Sequence, residues 1–481
     1  MDLKKLVGPF SPWTSDQKDA WESRQKLLPD FRREIFDSLV LDLDTIKQII
    51  SITGPRRVGK STLLLHLVQY LINERKVEPN RILYYSLDDP SLLRAKASEE
   101  DVFEALMLHM CELGKTGPAY LFLDEIQTYE RWEQHLKKYY DLQYPVRVVI
   151  SGSASTPIFK KSRESLLGRV KDYHLLPFSF REVVLFRLTR QSPLLQEVAK
   201  IANEGRHVMG MCTKTPEHIG TKNVPIGQMS EDLWKKASLA LDQYVVEGGF
   251  PEVWSLPSAD KKIEYLFDNQ VKKVITEDLV LAVEFRKPEQ LKRFYISLLE
   301  QPGREVNITS LSGELGVNVQ QIEKYLPLLE MTDLIRSAGK FRKSSIRVRR
   351  GNQKYYLVDV GLRNAVLRIG QEILNDESAM GNYAENLVFN ALKKWPGVLQ
   401  VDYYRERDKE IDFIVHIGRS KYLPVEVKYR NKVADHYPVV GEFTNKFTCT
   451  TPIIVTKHKV QYGMRNKLFR LPLIHFLLLF S

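Results

Sequence analysis

Four short apolar runs in the first third of the chain predict the strands of a buried sheet. They cover residues 49–52, 81–87, 119–125 and 146–153, and helical patterns lie between them. Strands that are almost wholly apolar and alternate with helices are typical of a parallel sheet covered by helices. The pattern therefore predicts an α/β domain, preceded by a helical lead-in over residues 1–45.

The rest of the chain predicts a helical region followed by smaller mixed units. Residues 183–300 are mostly helical in pattern, and residues 308–315 and 319–331 predict two short amphipathic helices around a Gly-Val-Asn turn, as in a helix-turn-helix. A helix over 380–395 and further strands come next. The apolar run 471–480 contains a histidine and a proline and is too short to span a bilayer, so we interpret it as a core strand.

The first apolar run leads into Gly-Pro-Arg-Arg-Val-Gly-Lys-Ser-Thr, which fits the phosphate-binding pattern G-x-x-x-x-G-K-S. The two glycines allow a tight turn whose N–H groups point at phosphate oxygens, and the following helix adds its dipole. The lysine reaches the β- and γ-phosphates, and the hydroxyl of Ser61 ligates Mg²⁺. The residues predicted to bind ATP are Gly54, Pro55, Arg56, Arg57, Val58, Gly59, Lys60, Ser61 and Thr62.

The third apolar run ends in Asp124 and Glu125, the pattern of a Walker B strand. Asp124 is predicted to hold Mg²⁺ through water, and Glu125 to orient or deprotonate the water that attacks the γ-phosphate. Ser151 ends the next strand, where a polar sensor of the γ-phosphate is expected, with an ordinary loop serine as the alternative. Arg169 is a candidate arginine finger for a neighbouring subunit, with a plain surface arginine as the alternative.

A second set of charged residues lies in the last quarter of the chain. Helical spacing puts Glu385 on the buried side of its predicted helix, Asp412 lies near the start of a strand, and strand period puts Glu426 and Lys428 on one face. Carboxylates bind one or two Mg²⁺ ions, with Mn²⁺ as the alternative, and a lysine stabilises charge or activates water. The predicted metal ligands are Glu385, Asp412 and Glu426, and Lys428 is the predicted catalytic lysine.

The chain of 481 residues has a net charge of +11, which suits a polyanionic partner, with a basic soluble surface as the alternative. From Arg336 to Lys354 it carries basic residues and no acidic one. After a helix-turn-helix, such a run predicts a β-wing that contacts DNA or RNA, with protein docking or a solvated face as the alternatives. The residues predicted to contact nucleic acid are Arg342, Lys343, Arg347, Arg349 and Arg350.

Residues 205–229 look like a loop insertion. Their His207, Cys212 and His218 lack a second cysteine, so we expect no metal site there. The absence of cysteine pairs and of a signal-peptide pattern predicts a reducing, cytoplasmic setting and no membrane partner. The cysteines of the chain are Cys111, Cys212 and Cys449.

Several motifs together resemble a largely uncharacterised family of prokaryotic AAA-type ATPases. They are Gly54–Ser61, Leu123–Gln127, Ser151–Ser153, Leu167–Arg169, Pro177–Glu182 and Gly248–Glu252. Members commonly carry a winged helix and a C-terminal PD-(D/E)xK-like domain, and the charged set around Asp412 resembles that nuclease pattern. The resemblance implies an α/β fold with a P-loop AAA-type ATPase domain over 1–185, a helical lid over 186–300, a winged-helix domain over 301–370 and a small α/β restriction-endonuclease-like domain over 371–481.

These observations predict an ATPase and a metal-dependent DNA endonuclease in one chain, with the ATPase controlling the cutting. The alternative is an ATP-driven DNA-binding or remodelling protein whose nuclease-like domain is inactive and only grips nucleic acid or a partner. The expected cofactors are ATP and Mg²⁺, with Mn²⁺ as the alternative at the nuclease site. The expected partners are DNA, with RNA as the alternative, and further copies of the same chain.

Overall fold

The computed structural model describes residues 7–14, 18–90, 99–129, 131–153, 166–188, 192–214, 229–278, 288–300, 302–342, 352–395, 397–418 and 420–480. These residues form two compact units, one up to Leu176 and one from Pro177 onward, with Asp278 counted in the first. Apart from Asp278, the described residues of the predicted lid, winged helix and C-terminal domain fall in the second unit. No helix within these ranges is long and apolar enough to cross a membrane.

A parallel sheet of five strands forms the centre of the first unit. Its strands are β1 (Ile49–Gly54), β2 (Ile82–Ser86), β3 (Tyr120–Asp124), β4 (Arg147–Ser153) and β5 (Val170–His174). They lie in the order β2-β3-β4-β1-β5, and every neighbouring pair is parallel. The four predicted strands are confirmed. The edge strand β5 is partly exposed and carries Lys171 and Asp172, so the hydrophobic pattern does not predict it.

Helices pack around this sheet and bury its apolar strands. The α-helices described in this unit are α1 (Lys18–Leu27), α2 (Phe36–Thr45), α3 (Lys60–Asn73), α4 (Glu99–Gly114) and α5 (Trp132–Asp141). The packing residues expected in the lead-in, Trp13, Trp21 and Phe31, are buried, and the first two rings meet edge to face. The indole of Trp13 also donates to the Ile82 carbonyl oxygen at 2.8 Å, which fixes the lead-in to β2.

The second unit begins with a helical region, as predicted. Its α-helices are α6 (Phe180–Leu188), α7 (Ser192–Lys214), α8 (Glu231–Glu247), α9 (Ala259–Leu266) and α10 (Pro288–Glu300). The prediction of a loop from residue 205 is wrong for 205–214, which form the last turns of α7. Gly205 weakens the helical pattern in the sequence. The fold nevertheless favours a glycine at this position, because a Cβ would stand 2.4 Å from the Leu479 carbonyl oxygen. Residues 215–228 of that segment, with His218, lie outside the described residues.

The predicted pair of short helices has the bounds expected from the sequence. They are α11 (Ile308–Leu315) and α12 (Val319–Met331). Asn318 begins α12 with a capping box, because its side chain accepts from the Gln320 N–H at 2.7 Å and Gln321 reaches back to its backbone. The inward positions Ile322 and Leu329 are fully buried.

Strands flank these two helices and continue into one sheet of nine strands. The strands of that sheet are β6 (Glu305–Val306), β7 (Ile335–Lys340), β8 (Gln353–Leu357), β9 (Gln400–Glu406), β10 (Lys409–Gly418), β11 (Lys421–Lys428), β12 (Ile453–Thr456), β13 (Gly463–Arg465) and β14 (Leu468–Pro472). Their order is β13-β14-β12-β11-β10-β9-β7-β8-β6. Two residues of β7, Gly339 and Lys340, pair in parallel with β9 and join the two halves of the sheet.

Four more helices cover this sheet, and the last of them corrects a prediction. They are α13 (Val360–Leu367), α14 (Glu377–Lys394), α15 (Pro438–Lys446) and α16 (Leu473–Phe480) within the described residues. The run 471–480 is therefore not a core strand: β14 ends at Pro472 and a helix follows. Every side chain of α16 is buried. A short run that is apolar on all sides has no period, so its pattern does not separate a buried strand from a buried helix.

The Gly-Gly-Phe-Pro turn after α8 is shaped by a buried carboxylate. Asp359 accepts hydrogen bonds from the Gly249 N–H at 2.6 Å and the Gly361 N–H at 2.8 Å. Burial raises the pKa of Asp359 to about 6, and the N–H donors oppose that shift. Gly248 has a φ of 76°, and a Cβ there would stand 2.0 Å from the Asp359 carboxylate. The turn therefore requires glycine for both conformation and space.

We expect Gly248→Ala to destabilise the protein by about 3 kcal/mol, because left-handed strain and overpacking add. The matched control is Gly381→Ala, since Gly381 lies inside α14 with nothing within 4 Å of its added Cβ. That control should stabilise by up to about 1 kcal/mol through helix propensity. Chemical denaturation of the two variants measures both effects. Equal stabilities for the two variants would contradict this account of the turn.

Candidate functional site

The P-loop joins the end of β1 to the start of α3 in a turn that depends on its glycines. Gly59 has a φ of 93° and Gly54 one of 151°. A Cβ on Gly54 would stand 2.0 Å from the Leu175 carbonyl oxygen. Lys60 is buried, and its ammonium donates to the carbonyl oxygens of Gly54 and Pro55 at 3.1 and 2.8 Å. The lysine therefore lies across the loop that is predicted to hold the phosphates.

The rest of the loop presents the groups that a magnesium nucleotide needs. Val58 is buried and anchors the loop, and its carbonyl oxygen accepts from the guanidinium of Arg33 at 2.8 Å. Ser61 is exposed on the first turn of α3, and Gly59 has no side chain to cap that turn. A free helix N-terminus and an accessible hydroxyl suit phosphate and Mg²⁺. The residues present therefore fit ATP with its metal.

The two Walker B acids stand at the end of β3 in different environments. The Asp124 carboxylate is 2% exposed and accepts from the hydroxyls of Tyr84, at 2.7 Å, and Ser151. Glu125 has a φ of 50°, and Gln127 donates to its carboxylate. Burial raises the pKa of Glu125, while the nearby Lys60 ammonium opposes the shift. A carboxylate with a raised pKa beside the P-loop suits a base that orients or deprotonates water.

Strand order explains how these residues meet. β4 lies between β1 and β3, and Ser151 pairs with Ile52 of β1, so the carboxyl ends of all three strands share one edge. The predicted sensor Ser151 contacts Asp124, and its role toward the γ-phosphate stays a prediction. Sequence reasoning missed Tyr84 and Arg33, because neither belongs to a motif.

Arg169 lies at the opposite end of β1 from the P-loop. Its carbonyl oxygen accepts from the N–H of Ile49, the first residue of β1. Its guanidinium forms two hydrogen bonds with Asp141, at 2.7 and 3.1 Å, and this pairing lowers the pKa of Asp141. Arg169 therefore does not serve the P-loop of its own chain in this structure. An action on a neighbouring subunit stays a prediction.

The predicted carboxylates of the second unit meet on one helix and two neighbouring strands. Glu385 comes from α14, Asp412 from β10 and Glu426 from β11. The Glu426 carboxylate accepts from the Asp412 N–H at 3.2 Å, and the Asp412 carboxylate accepts from the Val427 N–H at 2.7 Å. Lys428 donates to Glu426, as the strand period predicts. The sequence therefore brings the four predicted residues into one region.

A lysine from β8 enters the same cluster. Lys354 has a side chain that is 5% exposed, and its ammonium lies 3.3 Å from Glu385 and 2.5 Å from Glu410. Tyr356, two residues along β8, donates to Glu385 at 2.7 Å. The sequence places Lys354 in the basic run, but here its ammonium pairs with the partly buried carboxylates of Glu385 and Glu410. Alternation along β8, with Lys354 and Tyr356 on one face, is the signal that could have found this pair.

The cluster shows the mutual repulsion of its acids. Burial raises the pKa of Glu385 to about 7, and Asp412 adds to the shift. Burial and Asp412 likewise raise the pKa of Glu426 to about 7. Burial lowers the pKa of Lys428, but Asp412 and Glu426 outweigh it and the net shift is upward.

A further cation, in addition to the ammonium groups of Lys354 and Lys428, would relieve the repulsion among these carboxylates. Carboxylate oxygens are ligands that suit Mg²⁺. In the described part of the chain, however, no three acidic, histidine or cysteine side chains are gathered closely enough to hold a metal ion as they stand. The donor chemistry of Glu385, Asp412 and Glu426 fits a metal, while their present geometry includes Lys354 as a counter-ion.

Most of the predicted nucleic-acid contacts cannot be placed. Lys343, Arg347, Arg349 and Arg350 lie outside the described residues, whereas Arg342 is exposed just after β7. Arg336, at the start of the same basic run, is largely buried, and burial lowers its pKa. The run therefore divides into inward-facing and outward-facing residues.

Comparison with known families assigns the first unit. Residues 46–184 match the family described as AAA domain. Residues 238–373 and 380–475 match two domains of unknown function, DUF8612 and DUF4143. The P-loop and the Walker B acids lie in the first match, and the carboxylate cluster around Asp412 lies in the last. The chain therefore carries an AAA-type ATPase domain.

Relatives resemble the chain over most of its length. It is 25% identical to an uncharacterized protein of Haemophilus influenzae over 396 residues, which is 81% of this chain and 83% of that protein. It is 23% identical to the uncharacterized protein MJ1637 of Methanocaldococcus jannaschii, covering 71% and 67% of the two chains. A solved structure of a RuvB variant from Thermotoga maritima matches with a TM-score of 0.26 and 16% identity, over 63% of this chain and 88% of that one. The assignment of the ATPase rests on the AAA domain match.

The raised pKa values predict how stability changes with pH in the absence of divalent ions. Between about pH 4.5 and 7 the folded protein holds more protons on Glu385 and Glu426 than the unfolded chain does, so stability falls as pH rises through this window. Glu426→Gln removes one of the two titrating carboxylates. The stability of this variant should therefore fall less steeply as pH rises. Thermal unfolding midpoints at pH 5 and pH 8 in EDTA measure it.

The matched control for this prediction is Glu442→Gln, since Glu442 is a well-exposed carboxylate on α15 that pairs with Lys409. It should keep the parent's dependence on pH. A parent protein that becomes more stable from pH 5 to pH 8 would contradict the prediction.

Proposed function

We propose that this protein hydrolyses ATP, binds nucleic acid and cleaves DNA at the carboxylate cluster of its second unit, with the ATPase controlling the cutting. The observation that carries the nuclease proposal is the meeting of Glu385, Asp412, Glu426 and Lys428 on α14, β10 and β11. This ordered set resembles the PD-(D/E)xK pattern. These four residues are spread over some 40 positions of the sequence. Their convergence in the fold is therefore stronger support for a site than a single Glu-x-Lys triplet.

In the ATPase, the P-loop amides and Lys60 would bind the phosphates, and Ser61 and Asp124 would hold the Mg²⁺ that neutralises their charge. Glu125 positions the attacking water and takes its proton. Burial raises the pKa of Glu125, which makes its carboxylate a better proton acceptor. Arg169 acts on the nucleotide of a neighbouring copy, so the active form is a homo-oligomer.

In the nuclease-like site, Glu385, Asp412 and Glu426 supply oxygen ligands. A bound Mg²⁺ or Mn²⁺ would supply a water of lowered pKa and neutralise charge on the phosphodiester. Lys428 lies beside Glu426 and is placed to stabilise charge on the scissile phosphate. Tyr356 holds the Glu385 carboxylate in a fixed orientation through its hydroxyl.

Nucleic acid is expected to bind next to the helix pair α11 and α12. This pair is followed by β7 and β8, and β8 also pairs with β6 before the pair, which is the element order of a winged helix. Arg342 and the basic residues after it in the sequence are the proposed contacts to phosphates. The outward part of the basic run and the net charge of +11 support this proposal.

A specific observation favours the alternative function, in which the second unit binds but does not cut. Lys354 already neutralises Glu385 and Glu410, and the described acids form no ready-made metal site. A cluster balanced by its own lysines can be a structural remnant that holds the sheet together. The protein would then be an ATP-driven DNA-binding or remodelling protein.

One experiment with two readouts separates these functions. ATP hydrolysis and plasmid cleavage are measured in Mg²⁺ and in Mn²⁺, with and without ATP, for the parent, Glu125→Gln and Asp412→Ala. We expect Glu125→Gln to bind ATP but hydrolyse it at least about a hundredfold more slowly, because only water activation is lost. Asp412→Ala should hydrolyse ATP like the parent and lose cleavage.

Lys409→Met serves as the control, because Lys409 is half-exposed and pairs with Glu442 outside the cluster. Cleavage that persists in Asp412→Ala would place cutting elsewhere. No cleavage by the parent under any metal or nucleotide condition would favour the alternative function. Parent-like ATP hydrolysis by Glu125→Gln would show that Glu125 is not the base.

A further inference from the structure

Asp124 is held by three donors that come from three different strands or turns. Its Oδ2 accepts from the Tyr84 hydroxyl at 2.7 Å. Its Oδ1 accepts from the Ser151 hydroxyl and from the Glu125 N–H at 3.0 Å. The carboxylate lies in the core of the first unit, so rotation would break charge-assisted bonds without water to replace them. Its orientation is therefore fixed before any nucleotide arrives.

Tyr84 is the donor that no sequence motif contains. It lies on β2, and the register pairs Ser86 with Asp124 across to β3. Because Tyr84 and Ser86 are two residues apart, their side chains share a face of the sheet, and the phenol of Tyr84 reaches along that face to the carboxylate. Burial raises the pKa of the Tyr84 phenol, and the Asp124 charge adds to the shift.

The lead-in fixes Tyr84 in turn. The hydroxyl of Ser11 donates to the Tyr84 carbonyl oxygen at 2.7 Å and accepts from the Tyr84 N–H at 2.8 Å. The guanidinium of Arg24 lies 5.4 Å from the centre of the Tyr84 ring. An edge strand such as β2 would otherwise leave these backbone groups unpaired. The lead-in thus supports a residue that contacts the Walker B acid.

We propose that Tyr84 is a positioning residue for ATP hydrolysis, whose hydroxyl fixes the Asp124 carboxylate in the orientation that receives the hydrated Mg²⁺ of the nucleotide. Tyr84 acts only through Asp124 and does not touch ATP. The inference goes beyond the proposed nuclease function and is independent of it, but it uses the assignment of Asp124 to the magnesium ion. It also implies that the lead-in contributes to ATP hydrolysis, because it holds Tyr84 in place.

Tyr84→Phe tests this inference, because it removes one hydroxyl and keeps the ring. The matched control is Tyr85→Phe: Tyr85 is the next residue of β2, is equally buried, and donates to Asp89 at 3.2 Å. ATP hydrolysis at saturating ATP is measured against Mg²⁺ concentration. Binding of a fluorescent ADP analogue in EDTA and the thermal unfolding midpoint are measured alongside.

We expect Tyr84→Phe to need about tenfold more Mg²⁺ for half-maximal hydrolysis, as the loss of a hydrogen bond to a charged group implies. Its metal-free nucleotide binding should stay within about twofold of the parent, and Tyr85→Phe should keep the parent's Mg²⁺ dependence. An unchanged Mg²⁺ requirement in Tyr84→Phe would overturn the inference. A loss of nucleotide binding in EDTA, or of the folded state, would also overturn it, because Tyr84 would then be structural.

Discussion

Carboxylates that leave water lose their hydration, and Glu385, Asp412 and Glu426 also lie close enough to repel one another. The second unit tolerates them because each carboxylate has a cation or an N–H group as a partner. Lys354 and Lys428 supply the cations, and the backbone of β10 and β11 supplies N–H donors. This balance of charge links α14, β8, β10 and β11. It also sets what the cluster can bind, since a further cation must share the carboxylates with the lysines.

The same balance connects the helix-turn-helix region with the C-terminal strands. An alternating row of charges runs through Glu305, Arg405, Glu410, Lys354 and Glu385, with contacts of 2.6, 2.5, 2.5 and 3.3 Å. Its members come from β6, β9, β10, β8 and α14. Opposite charges on neighbouring strands favour the observed register, because they lie across from one another in it. These ion pairs therefore link β6 and β8, which flank the helix pair α11 and α12, to the strands that carry the carboxylate cluster.

Local motifs were predictable from the sequence, whereas partners from distant strands were not. The P-loop and the Asp124-Glu125 pair depend on consecutive residues, so their chemistry can be inferred without a fold, and the match to an AAA domain supports it. Tyr84 and Lys354 gain their roles only when strands become neighbours, and nothing beside them in the sequence marks those contacts. The strand prediction was wrong for residues 473–480, because this helix is buried on all sides. Its sequence therefore lacks the alternation of apolar and polar residues by which a helix is recognised.

We propose that the cluster around Asp412 binds a cation and that the Lys354 ammonium competes with this cation for the Glu385 carboxylate. Mn²⁺ binding measured by electron paramagnetic resonance without nucleotide tests it, with the site defined as the binding lost in Asp412→Ala. Removing a charge a few ångströms away should make Lys354→Met bind Mn²⁺ at least about tenfold more tightly than the parent. Lys409→Met, outside the cluster, should bind like the parent. Equal or weaker binding in Lys354→Met, or no Asp412-dependent ion in any variant, would contradict the account.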